Sequence, residues 1–262
     1  IAHVASIEAA RKLAVFNAEA EQLAKALWPG PLTLVLPRAP DCPVSELATA
    51  GLDSIALRVP AHAVSKEILD AFGGPVVAPS ANISGHVSPT TAQHVDADLD
   101  GCIDLIVDGG PAPVGIESTI VACLEAPLLL RPGGISRHQI ETILDKKLSR
   151  MKESNDEAPL APGMLESHYA PRARLRLNAA SVGKDEALLA FGKPLQGAAV
   201  TLNLSADGEL IEAAANLFAY LRQLDSPSIG SIAVMPIPNE GLGEAINDRL
   251  IRAAAPRPEP RN

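Results

Sequence analysis

The sequence predicts an α/β protein built as a larger and a smaller domain. Apolar residues make up 47% of the 262 positions but aromatics only 3%, so a core must be packed from Leu, Ile, Val and Ala. Short aliphatic runs alternate with helical segments, as in layered α/β folds. The texture breaks once, at 146–172, where charges, Ser, Asn and prolines replace any periodicity. That break divides the chain into residues 1–145, a linker at 146–172 and a small domain at 173–262.

Taken in order, Ser6 to Leu27 predicts two helices broken near Asn17. Pro29-Gly30-Pro31 forces a turn before a strand over Leu32 to Leu36. "SIALRVP" is a second strand and Ala63 to Phe72 a helix. "PVVAPSANISGHVSPTT" (Pro75 to Thr91) opens as a strand ending near Ala78, and a helix can begin at Thr90 or Thr91, after Pro89. "CIDLIVDGG" predicts a strand with a glycine stop. "ESTIVAC" and "APLLLRPGG" form a hairpin around Leu124-Glu125. Ser136 with Gln139 three residues on is a capping box, and Ile135 and Ile140 are placed as a hydrophobic staple.

Beyond the break, "ARLRL", "GAAVTLNL" and "SIAVMPI" predict strands. Helices are expected over Lys184 to Phe191, Glu209 to Leu224 and Leu242 to Ala254. Leu210, Ile211, Ala214, Leu217, Phe218 and Leu221 mark one apolar helix face. This is a small three-layer α/β domain, and the tail "PRPEPRN" is expected to be disordered.

The formal net charge of -9 leaves no basic stripe for a large nucleic-acid footprint. A small anionic ligand held by a few placed cations remains open. No apolar run reaches the roughly 18 residues of a membrane span. Three cysteines at no metal-ligand spacing fit a reducing cytoplasm. His86 and His94 do not have the spacing of a zinc pair.

The strand end at Ala78 gives way to a dense row of short polar side chains: Ser80, Asn82, Ser84 and Ser88. Such hydroxyls and amides suit a phosphate or nucleotide, and Gly85 permits close backbone approach. A turn that caps its own backbone explains the same row. Arg58 stands in an apolar strand, either facing solvent or meeting an anion. "GIESTIV" places Glu117, Ser118 and Thr119 at a strand start. Arg131 ends an apolar strand before Pro132-Gly133-Gly134, facing a phosphate or solvent. Neither a Walker-type loop nor G-x-G-x-x-G after a strand is present.

In order along the chain, "WPGPLTLVLP", "LRVP", "APSANISG" with "SPT", "ESTIV", "LRPGGIS", "HYAP" and "GLGEAINDRL" resemble the L-threonylcarbamoyladenylate synthase family in its long form. The resemblance implies a twisted mixed-sheet YrdC-like domain with a concave, positive cleft, and a smaller Rossmann-like α/β domain. It implies synthesis of threonylcarbamoyl-AMP from L-threonine, bicarbonate or CO2, and ATP, with release of pyrophosphate. The product would feed a transferase complex that modifies the adenosine beside the tRNA anticodon. By that resemblance His3, Arg58 and Ser118 sit by the threonine, Arg58 on its carboxylate. Ser54, Ser80, Asn82, Ser88, Arg131 and Tyr169 contact ATP, with Tyr169 reaching from a linker that acts as a lid. Ser54 stands where the family usually has Thr. Mg2+ would be held mainly through phosphates, Glu117 being the only acid inside a core motif. The family's Lys-x-Arg element precedes a segment whose end resembles Ile1, so this chain is expected to lack those first strands. A non-catalytic RNA-binding or regulatory module on the same fold is the alternative, and the acidic charge argues against it.

Overall fold

The computed structural model describes residues 1–150 and 167–256. In chain order its elements are β1 (Ala2–His3), α1 (Ile7–Arg11), α2 (Ala18–Leu27), β2 (Leu32–Pro37), α3 (Glu46–Thr49), β3 (Ser54–Arg58), α4 (Ala63–Phe72), β4 (Val76–Val77), α5 (Ala92–Leu99), β5 (Thr119–Ala122), β6 (Leu128–Arg131), α6 (Arg137–Leu144), β7 (Ser149–Arg150), β8 (Arg174–Arg176), β9 (Ala187–Ala190), β10 (Val200–Asn203), α7 (Leu210–Leu224), β11 (Ser231–Val234) and α8 (Gly243–Ala254). They fall into two compact units. One holds Ile1–Pro79 and the described residues from Glu117 to Arg150. The other holds Ser80–Ile116 and the described residues from Ser167 on.

The first unit is a seven-stranded mixed sheet of order β4-β1-β3-β2-β5-β6-β7. Strand alternation gives it two unlike faces. Leu32, Leu34 and Leu36 of β2, Ile55 and Leu57 of β3, and Val121 of β5 pack with Ala10 of α1, Ala20, Leu23 and Ala24 of α2, and Ile140 and Leu144 of α6. The opposite face has a smaller apolar cluster, Val35, Ile120, Ala122 and Leu130. The helical stretch breaks where expected, and short polar side chains cap both pieces: Ser6 Oγ accepts from Ala9 N at 3.2 Å, and Asn17 Oδ1 accepts from Ala20 N at 2.9 Å. Ser136 and Gln139 form the reciprocal capping box of α6. Ile135 packs against the cluster that contains Ile140.

The second unit has a four-stranded, all-parallel sheet of order β10-β9-β11-β8. Helices α7 and α8 cover the face carrying Ala187, Leu189, Ile232 and Val234. Irregular chain around Ala179, Val182, Leu195 and Ala198 covers the other. Val87 and Ile116 join the α7 side, and Thr91 caps α5 by accepting from His94 N at 3.3 Å.

Two expected elements differ. The helix expected over Lys184 to Phe191 is instead strand β9, with all four residues of "ALLA" buried. A short apolar run carries no period that separates a buried strand from a buried helix, and a strand flanked on both sides by parallel neighbours needs such a run. "CIDLIVDGG" forms no strand among the described residues, and Ile103, Leu105 and Val107 are exposed. Its alternation is that of a strand, but no neighbouring strand supplies its ladder. Within the expected linker, Ser149–Arg150 pairs in parallel with β6; 151–166 and most of the tail, 257–262, lie outside the described residues.

Candidate active site

The polar residues of the first unit collect on the sheet face away from α1, α2 and α6. On β3, Ser54, Ala56 and Arg58 alternate with the core residues Ile55 and Leu57. His3 is the register partner of Arg58 on the adjacent, parallel β1. On β2, Thr33 lies between Leu32 and Leu34 and is fully buried. Its Oγ1 is 2.7 Å from Ser118 Oγ.

Arg131 reaches this face through an irregularity. On β6, Leu129 pairs with Val121, but Ile120 pairs with Arg131, so Leu130 is an extra residue. A β-bulge places neighbouring side chains on one side and re-aims the next. Arg131 therefore shares the face of Ile120. Its Nε and Nη2 donate to Ser118 O at 3.2 and 2.9 Å, and Nη2 to Ser118 Oγ at 3.2 Å.

Two glycines let backbone approach here. A Cβ on Gly133 would lie 2.4 Å from Glu117 O and from Thr119 N. The "RPGG" turn is thereby flush with "EST", and Gly134 N donates to Glu117 O at 3.0 Å. A Cβ on Gly30 would lie 2.3 Å from Leu27 O. The Gly30 carbonyl accepts from Arg58 Nε at 3.0 Å.

The electrostatics of this face are set by Arg58 and Arg131. Burial first, and then the Arg131 charge, lower the pKa of Arg58. Among the described residues no carboxylate lies within ion-pair distance of Arg58. Burial, followed by the Arg58 charge, pushes His3 down to about 4, so its imidazole is neutral at pH 7. Its Nδ1 is buried with no hydrogen-bond partner among the described residues. Burying the Arg58 guanidinium beside a second one is costly, and a negative charge placed next to it would offset that cost.

Of the residues singled out from sequence, His3, Ser54, Arg58, Ser118 and Arg131 thus share one sheet face. Thr33 was missed. Its signal was a lone hydroxyl inside the apolar run "LTLVLP".

Ser80, Asn82, Ser88 and Tyr169 belong to the second unit. Ser80 is exposed and Ser88 buried. Asn82 Nδ2 donates to Ile83 O and His86 O at 2.9 and 3.2 Å, closing its own loop. Its Oδ1 is buried and unpartnered among the described residues. Tyr169, at φ 61°, is 1% exposed. Its ring stacks on Phe218 at 5.4 Å and lies under the Arg249 guanidinium at 5.2 Å. All three cysteines are free thiols, and burial raises that of Cys123 to about 12. The described residues contain no cluster of three or more His, Cys, Asp or Glu able to hold a metal, and no helix long and apolar enough to cross a membrane.

The same layout recurs in known proteins. Residues 1–133 match a family model described as "Telomere recombination", and 135–255 one described as "Threonylcarbamoyl-AMP synthase, C-terminal domain". A threonylcarbamoyl-AMP synthase of Bacillus subtilis is 40% identical over 279 residues, covering 98% of this chain and 79% of that protein. One of Pyrococcus abyssi is 38% identical over 275 residues, covering 98% and 80%. The crystal structure of P. abyssi Sua5 complexed with L-threonine superposes with a TM-score of 0.87 at 35% identity, covering 97% of this chain and 79% of that one. On these matches, which run through both units, the chain belongs to the threonylcarbamoyl-AMP synthase family.

Proposed function

We propose that this chain makes threonylcarbamoyl-AMP from L-threonine, bicarbonate or CO2, and ATP, releasing pyrophosphate. The observation that carries it is Arg58: a half-buried guanidinium, repelled by Arg131, bonded to the Gly30 carbonyl and with no carboxylate partner among the described residues. In this reading Arg58 takes the threonine carboxylate, with His3 and Ser118 beside the amino acid. Arg131 takes phosphate. Ser54, Ser80, Asn82, Ser88 and Tyr169 are the further nucleotide contacts.

The chemistry suits such residues. The threonine nitrogen attacks the carbon of CO2, an N–C bond forms, a proton leaves nitrogen, and the product is a carbamate anion. A carbamate oxygen then attacks the α-phosphorus. The new P–O bond forms as the α–β bridging P–O bond breaks, and pyrophosphate leaves with that electron pair. Neither step uses a protein nucleophile; both depend on positioning and on cations and donors placed where charge develops. A neutral His3 adds no positive charge beside the amine that must give up a proton. Mg2+ would enter with ATP and be held mainly by phosphate oxygens, since the described residues offer hydroxyls and amides but no carboxylate cage.

The product would pass to a transferase complex acting on the adenosine beside the tRNA anticodon, in a reducing cytoplasm. With a net charge of -9, strong direct grip on tRNA is not part of this function. The test is pyrophosphate release as threonine, bicarbonate and ATP are omitted in turn. Release that needs all three is expected. Release without threonine, or none with all three present, would sink the assignment. Arg58→Ala should raise the threonine KM and leave the ATP KM nearly unchanged.

A further inference from the structure

We infer that Arg222, on α7, is a positioning residue for nucleotide binding that holds the Ser88 loop by its backbone. The inference rests on the nucleotide role given to Ser88 above. Arg222 lies 134 residues from Ser88, in the part of the chain matched by the C-terminal family model. Its Nε donates to Ser88 O at 3.3 Å, and its Nη2 donates to Val87 O. The fork is itself fixed: Nη1 and Nη2 donate to Asp98 Oδ1 and Oδ2 at 3.1 and 2.7 Å. Both side chains are largely buried, 15% and 11% exposed. One guanidinium thus joins the carboxylate of α5 to two successive carbonyls of the loop before it.

The remaining anchors leave Ser88 little freedom. Val87 is buried in the α7 core, Ala112 N donates to Thr90 O at 2.9 Å, and Ala170 N donates to Gly85 O at 2.9 Å. A free Ser-Pro-Thr segment would lose backbone entropy on being ordered by a ligand. Here that ordering precedes the ligand, the usual source of gain from preorganisation. A purely structural arginine on α7 needs only Asp98. Bonds to the Val87 and Ser88 carbonyls, which flank the Ser88 Cα, set where the Ser88 hydroxyl stands.

The experiment measures ATP binding by calorimetry, and ATP and threonine KM by pyrophosphate release, for the wild type, Arg222→Ala, Arg222→Lys, Asp98→Asn and Leu221→Ala. Arg222→Ala should raise the ATP Kd and KM about ten-fold or more, with the threonine KM within about two-fold. Arg222→Lys keeps the charge without the fork and should fall between it and wild type. Asp98→Asn should shift ATP in the same direction by less. Leu221→Ala opens the core of the same helix without touching the clamp, and should lower the melting temperature without moving the ATP KM. If Arg222→Ala fails to fold, the Lys and Asp98 variants carry the decision. Unchanged ATP binding in the Arg222 and Asp98 variants overturns the inference. So does a Leu221→Ala shift as large as that of Arg222→Ala. A wild type that binds ATP but releases no pyrophosphate overturns the enzymatic reading alone; a wild type that does not bind ATP overturns both.

Discussion

The two units use buried arginine in opposite ways. In the second, Arg222 is met by Asp98 at 2.7 Å and Arg249 by Asp248 at 2.6 Å. In the first, Arg58 meets a carbonyl and a second guanidinium. An arginine with an internal acid has its charge met before any ligand arrives, and its removal strands a charge. One without an internal acid among the described residues is, in the function proposed above, the one whose partner comes from outside. The internal acid, more than depth of burial, separates scaffold from site.

Substitution can break that contrast, since the two kinds of arginine should fail in different measurements. Arg58→Met should lower threonine-dependent turnover by about 10²- to 10³-fold, or about 3–4 kcal/mol, as for loss of one placed donor at developing charge. Its melting temperature should stay level or rise, because a repulsive buried charge has gone. A Tm drop with normal turnover would reverse the roles. Arg249→Met should cost about 3 kcal/mol of stability, the low end for a broken buried pair. Asp248 keeps Arg252 at 3.2 Å, which is why the low end applies. Chemical denaturation measures it, and a change under about 1 kcal/mol would show that the Tyr169–Phe218 stack holds the region without the ion pair.

His3 sharpens the contrast through pH. Its folded pKa of about 4 lies below the unfolded value of 6.5. Between these values the unfolded chain binds a proton that the folded chain refuses. Stability should therefore fall as pH drops from 6.5 toward 4, by up to about 3 kcal/mol, and level off below 4. His3→Asn should flatten that window; an unaltered slope would place the titration elsewhere. The smallest effect tests ordinary scaffold: Ser136→Ala removes half of the α6 capping box and should cost about 1 kcal/mol in denaturant unfolding, with turnover kept.

Much of this was legible from local chemistry. Asn17, Thr91 and Ser136 announce helix starts because a short polar side chain before an apolar period satisfies orphan N–H groups. "LTLVLP" and "SIALR" announce strands by length and flanking turns. Local chemistry also brought Arg58, Ser118 and Arg131 into view, as polar residues set against apolar strands. Non-local facts were not legible. "ALLA" gave no period, so β9 was mistaken for helix. "CIDLIVDGG" had the pattern of a strand, but pairing depends on a neighbour the pattern does not name. The mutual contact of Thr33, Ser118 and Arg131 depends on β2 lying beside β5 and on a register shift in β6, neither of which any window of residues contains.

That register shift makes chain length itself carry information. Leu130 is the uncounted residue between two paired ones, so deleting it would leave an unbroken ladder and a near-identical hydrophobic composition. The straightened strand would keep Arg131 opposite Ile120 on the Ser118 face, because the residue that follows Leu129 in a regular strand points away from α2 and α6. A one-codon deletion would thus take one member from the apolar cluster of Val35, Ile120 and Ala122 and leave Arg131 on its face of the sheet. Natural variation in this hairpin is therefore expected to include chains one residue shorter at Leu130, with the arginine still paired to the residue at position 120.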